Sequence, residues 1–127
     1  MKQRKNKEVS SQDLCQLVVK GMIEKKGQDV AILDLRNVKN AVADFFVICS
    51  GTSDTQIDAI ADSVEFEVHK AINENPWHKE GKANREWILI DYVDVVAHVF
   101  QKDRRKYYDL EELWGDAEMT VVEETVA

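Results

Sequence analysis

Ten residues constrain this chain more than any others: Asp44-Phe45-Phe46-Val47-Ile48-Cys49-Ser50-Gly51-Thr52-Ser53. Phe45 to Cys49 carry no charge and are aromatic, β-branched or small and apolar. A run this apolar and this short fits a strand buried on both faces, in the middle of a sheet with helices against it. Gly51 can take the positive φ that a sharp exit from a strand often needs. Ser53 stands where a helix N-cap belongs, with Gln56 at the capping-box spacing. The stretch therefore reads as strand, turn and helix start, and the rest of the chain is expected to pack against it.

The remaining segments alternate in the same way. Ser10 or Ser11 can cap a first helix running to about Lys26, with Leu14, Leu17, Val18, Gly21 and Met22 on one stripe and Gly27 closing it. Asp29 to Leu35 reads as a first strand. The short polar link from Asn37 to Ala43 makes strands one and two antiparallel neighbours. A second helix spans Ser53 to about Asn73, with Ile57, Ile60, Ala61, Val64 and Val68 inward and Asp58, Asp62, Glu65 and Glu67 outward. Pro76 is expected to stop it. Asn73 to Arg85 reads as a loop. Glu86–Tyr92 and Val95–Phe100, joined through Val93-Asp94, read as a hairpin. Lys102 to Tyr107 is a short basic helix or turn, and Asp109 can cap one more helical turn. The order α-β-β-α-β-β-α predicts an α/β chain of the mixed α+β kind, a single mixed β-sheet flanked by helices.

With 127 residues, 44% hydrophobic side chains and one proline, the chain has the material for one folded domain. Its formal net charge of −7 argues against nucleic acid as the main partner and favours a basic partner, or no charged partner at all. Residues 1–9 read as a flexible basic arm, with Lys2, Arg4, Lys5 and Lys7, and 118–127 as a disordered acidic tail. The basic start is followed by polar residues rather than an apolar signal segment, and no run is long enough to span a membrane, so a cytoplasmic location is expected. Cys15 and Cys49 read as buried free thiols.

Chemistry is sparse. His69, His78 and His98 are scattered and lack ligand spacing, so no metal or other cofactor is expected. Gly-x-Ser-x-Gly is absent. A strand ending in Ser-Gly-Thr-Ser at a helix start can bind an anion, and nucleotidyltransferases use such a turn with an Asp-x-Asp pair. Asp91 and Asp94 are spaced Asp-x-x-Asp across a turn, which does not place both carboxylates on one strand face. A nucleotide-binding or nucleotidyltransferase-like enzyme is therefore the alternative, and a protein-binding module the preferred reading. Trp87, Tyr92, Tyr107, Tyr108 and Trp114 interleave with Arg104, Arg105 and acidic residues, the composition of an interface.

The central ten residues, Glu86 to Phe100, and Tyr107-Tyr108-Asp109-Leu110-Glu111-Glu112-Leu113-Trp114-Gly115-Asp116 together resemble the bacterial ribosomal silencing factor, or Iojap, family. The resemblance covers about residues 10–117. It departs at Val93, where the family commonly has glycine. It implies a nucleotidyltransferase-like sheet without the catalytic aspartates, and no catalysed reaction. It further implies binding to the large ribosomal subunit at ribosomal protein fourteen of that subunit, steric exclusion of the small subunit, and repression of translation when nutrients are scarce. On this chain the contact patch is expected on the second hairpin and the segment after it. Trp87 and Tyr108 would be aromatic anchors, Asp91 and Asp94 would pair with basic groups, and Arg105 with an acidic group or a carbonyl. A homodimer off the ribosome, paired through an exposed edge strand, is also expected.

Overall fold

Ser10 and Ser53 open the two long helices. The Ser10 hydroxyl accepts from the Asp13 N–H at 3.0 Å at the head of α1 (Ser11–Glu24). The Ser53 hydroxyl accepts from the Gln56 N–H at 3.1 Å at the head of α2 (Asp54–Ile72). Each bond satisfies a donor that a helix start leaves without an intrahelical partner. The Gln56 side chain does more than close a capping box. Its Oε1 accepts from the Thr52 N–H at 2.8 Å, and its Nε2 donates to the carbonyls of Lys25 and Lys26 at 3.3 and 3.0 Å. The head of α2 is thereby tied to the chain leaving α1.

The computed structural model describes residues 9–122. Its strands are β1 (Gln28–Asp34), β2 (Phe45–Gly51), β3 (His78–Glu80), β4 (Trp87–Asp91), β5 (Val95–Gln101) and β6 (Glu118–Val121); α3 (Lys102–Tyr108) and α4 (Leu110–Leu113) lie between β5 and β6. They form one mixed sheet in the order β3-β4-β5-β2-β1-β6. The expected antiparallel pairing of the first two strands and the expected hairpin are both present. β2 runs parallel to β5 and is buried at all seven positions, as its apolar run requires. On one face α1 and α2 bury Leu14, Val18, Ile57, Ile60 and Val64 against Val47, Ile88, Ala97 and Val99. On the other, Leu33, Phe46, Ile48, Val96, Phe100 and Leu110 form a second cluster.

Several expectations are corrected. Gly51 is not a positive-φ turn; it ends β2, and a Cβ there would lie 2.9 Å from Ile57 Cγ1, so its lack of a side chain serves the close approach of α2. Lys26, at φ 61, takes the left-handed position expected of Gly27. α2 ends at Asn73, the expected boundary, but the stop is Asn73 itself rather than Pro76: its φ is 52 and its N–H donates to the His69 carbonyl. Glu67 is buried beside Lys20 and Lys70 at 3.3 and 3.7 Å rather than facing solvent. The outward acids of α2 meet the segment expected to be a loop: Glu65 pairs with Lys79 at 3.3 Å, Asp62 with Lys82 at 2.9 Å, and Asp58 with Arg85 at 2.7 Å. Within that segment β3 pairs antiparallel with β4. The expected disordered tail also begins as a strand. β6 pairs with β1, and the Val122 N–H donates to the Val30 carbonyl at 2.8 Å, so the domain extends past residue 117. The basic arm up to residue 8 and the tail from 123 lie outside the described residues.

The hairpin turn carries the one departure from the resemblance. The Asp94 N–H donates to the Tyr92 carbonyl at 3.0 Å around Val93, whose φ is 76. This is the strained hand of the three-residue turn, and a β-branched residue occupies it at a real steric cost. Relief of such strain is worth ~1–3 kcal/mol, against ~0.5–1 kcal/mol for the greater freedom of glycine in the unfolded chain. Val93→Gly is therefore expected to stabilise the fold by about 1 kcal/mol, seen as a higher urea midpoint with an unchanged slope.

Candidate functional site

Alternation along the strands sends Trp87 and Leu89 of β4, and Val96, His98 and Phe100 of β5, to the face away from α1 and α2. There a set of rings forms. Trp87 stacks on Phe100 with centroids 4.9 Å apart and lies 4.9 Å from the ring of Tyr108, which α3 brings over the sheet. The Trp87 Nε1–H donates to His98 Nδ1 at 3.0 Å, and the His98 ring meets Phe46 edge-on at 4.6 Å. Phe46 in turn meets Trp114 edge-on at 5.7 Å. Burial among these rings pushes the His98 imidazole down to about 3, so it is neutral and its Nε2 carries the proton.

The cover over this face is thin. Tyr107 is 74% exposed, Leu113 71% and Tyr108 39%, while Trp87 is half-buried. Met119 and Val121 extend the apolar surface along β6, opposite Leu33 and Ala31. The acidic groups Glu86, Glu111 and Glu112 occur on the same segments, with Glu86 held by Arg104 at 3.4 Å. The result is an apolar, aromatic patch bordered by these acidic groups and by the basic Lys102, Arg104 and Lys106 of α3, a mixed composition common at protein interfaces.

The residues expected to make the patch fare differently. Trp87 and Tyr108 are in contact, with Tyr108 the more exposed. Asp91 and Asp94 are half-buried at the hairpin turn. The Asp91 carboxylate accepts from the Val93 N–H at 2.7 Å, and the Asp94 carbonyl accepts from the N–H groups of Asp44 and Phe45. The Arg105 side chain is 15% exposed and turned inward, where the chain itself supplies the acidic group and the carbonyl: it bonds to Glu111 at 2.9 Å, to the Asp29 carbonyl at 2.6 Å and to the Ser50 hydroxyl at 3.1 Å. Tyr92, grouped above with possible interface aromatics, is 1% exposed in the core. Leu113, Met119 and Val121 were missed. The four-residue α4 turns Leu110 in and leaves Leu113 exposed. The alternation Glu-Met-Thr-Val was the available signal for β6.

The strand–turn–helix at Ser50 to Ser53 is filled from within. Gln56 takes the Thr52 N–H, Ser53 takes the Gln56 N–H, Arg105 takes the Ser50 hydroxyl, and Asp54 adds a carboxylate to the first turn of α2. An anion there would displace these partners and face like charge. Among the described residues no group of three or more His, Cys, Asp or Glu is placed to hold a metal ion, and no helix is long and apolar enough to cross a membrane. Cys15 and Cys49 are both buried, with burial pushing the Cys15 thiol up to about 12.

Comparison with known proteins gives a consistent picture. A family model described as "Ribosomal silencing factor during starvation" matches residues 8–127. The "Ribosomal silencing factor RsfS" of Halalkalibacterium halodurans is 41% identical over 122 residues, covering 94% of this chain and all of that protein. A mouse protein named "Mitochondrial assembly of ribosomal large subunit protein 1" is 36% identical over 73 residues, 56% of this chain and 32% of its own length. A crystal structure of a Chromobacterium violaceum protein superposes with a TM-score of 0.79 at 29% identity, covering 91% of this chain and 95% of that one.

Proposed function

The chain belongs to the ribosomal silencing factor family, and on that premise we propose that it binds the large ribosomal subunit at ribosomal protein fourteen, excludes the small subunit, and so represses translation when nutrients are scarce. The observation that carries this reading is the thinly covered aromatic face of Trp87, Tyr108, Tyr107 and Leu113, on a chain of net charge −7. Acidic surface favours approach to a basic ribosomal protein. Ribosomal RNA repels the same charge, so the aromatic patch must supply the specific contact. Repression by this route is occupancy of the joining face, with no bond made or broken. The homodimer expected off the ribosome belongs to the same proposal, with β3 and β6 as the exposed edges.

The reading is tested by mixing purified subunits with and without the protein and following formation of the joined ribosome on a gradient. Inhibition that saturates with protein supports it; unimpaired joining at saturating protein overturns it. Aromatic anchors in such patches carry about 2 kcal/mol or more, close to thirtyfold in affinity. Trp87→Ala is expected to weaken large-subunit binding by at least that factor, with circular dichroism confirming the fold. Trp87→Phe, which keeps the stacking on Phe100, is expected to lose less.

A further inference from the structure

α3 is seven residues long and buries none of them. A helix this short does not hold itself together in water, and without a buried stripe it has no apolar anchor of its own. Yet it carries Tyr107 and Tyr108. Three things fasten it: the ion pair of Arg104 with Glu86 at 3.4 Å, whose two side chains are each 44% exposed, the ring of Tyr108 against Trp87 and Phe100, and Arg105. The Arg105 side chain is 15% exposed. Its Nε and Nη2 lie 2.9 and 2.8 Å from Glu111 Oε1, and its Nη1 donates to the Asp29 carbonyl at 2.6 Å and to the Ser50 hydroxyl at 3.1 Å. One guanidinium thus joins α3 to α4, to β1 near its start and to β2 near its end. The planar fork matters, because a lysine offers a point charge that cannot meet these acceptors in the same geometry.

We propose that Arg105 is the positioning residue of the aromatic face: it sets α3 and α4 against the sheet, holds Tyr108 on Trp87, and presents Tyr107 and Leu113 without touching the partner itself. This rests on the functional reading above. Without Arg105 the segment 102–113 samples states in which the patch is not assembled. Apparent affinity then falls by the fraction of time the assembled state is populated. The two core clusters keep β2 and β5 in place, since α3 contributes no buried residue to either.

The test compares the full chain with Arg105→Ala and Arg105→Lys by pelleting with isolated large subunits and by amide hydrogen exchange. Both variants are expected to bind at least tenfold more weakly and to exchange faster across 102–113, while amides of β2 and β5 keep their protection. Faster exchange with unchanged binding overturns the proposal. So does weaker binding with unchanged exchange, which would make Arg105 a direct contact. Loss of protection in β2 together with binding also overturns it, by assigning Arg105 a general structural role. If the unmodified chain fails to pellet with large subunits, the functional reading fails instead, and the exchange data still decide whether Arg105 fastens α3.

Discussion

Lowering the pH from 7.5 to 4.5 is expected to cost the folded chain about 3 kcal/mol through His98 alone. The imidazole is 3% exposed, and the groups packed on it are the rings of Trp87, Phe46 and Phe100, none of them a charge. Burial therefore holds its folded value at about 3, against 6.5 for the ordinary group. The folded value is the depressed one, so the unfolded chain binds the proton first. Stability from this group is fully present above pH 6.5, falls by roughly 1.4 kcal/mol for each pH unit below it, and is exhausted near pH 3, for a total of ~5 kcal/mol. Asp34, held below the usual carboxylate range by its hydrogen bonds from Arg36, loses its contribution only at lower pH. Urea unfolding at a series of pH values, on the natural chain and on His98→Asn, isolates the effect. Asparagine can still accept from the Trp87 indole but does not titrate. The natural chain is expected to lose stability faster between pH 6.5 and 4.5; parallel curves would show that His98 is solvated or paired in the fold.

Gly21→Val is expected to destabilise the fold by about 3 kcal/mol. Gly21 lies in the last turn of α1, and glycine within a helix costs up to ~1 kcal/mol relative to alanine. It is needed because α2 crosses there: a Cβ would sit 2.5 Å from Val64 Cα and 2.9 Å from its backbone nitrogen. Backbone cannot swing aside as the end of a side chain can, so α1 must lift off α2 and loosen Leu14, Val18 and Met22 on the sheet. Gly21→Ala gains helix propensity but meets the same backbone, so a smaller loss is expected. Urea denaturation measures both, and a valine variant as stable as the natural chain would contradict the close crossing.

The elements legible in the sequence are those whose side chains report their burial. The run Phe45 to Cys49, the stripe Ile57-Ile60-Ala61-Val64-Val68 and the pair of strands around Val93 all advertise apolar period or turn chemistry, and all stand where expected. β3 and β6 do not. His78-Lys79-Glu80 and Glu118-Met119-Thr120-Val121 are exposed edge strands held by backbone hydrogen bonds, and a charged exposed edge reads as loop. The site was half legible for a similar reason. Trp87 and Tyr108 are conspicuous residue types, and the hairpin brings one to the face while α3 brings the other. Arg105 looks like an interface arginine in any local window. Its partners Asp29 and Ser50 are 76 and 55 residues away, a separation that local pattern does not span. Glu67 was hidden the same way, since its cover from Lys20 comes from another helix.

The measurement that tests the central claim most directly is sedimentation of the purified protein with isolated large subunits, isolated small subunits and preformed joined ribosomes, each in turn. A protein that occupies the joining face is expected to pellet with large subunits and to stay in the supernatant with small subunits and with joined ribosomes. Equal pelleting with large subunits and with joined ribosomes would contradict that account, because the bound protein and the small subunit would then be shown to coexist.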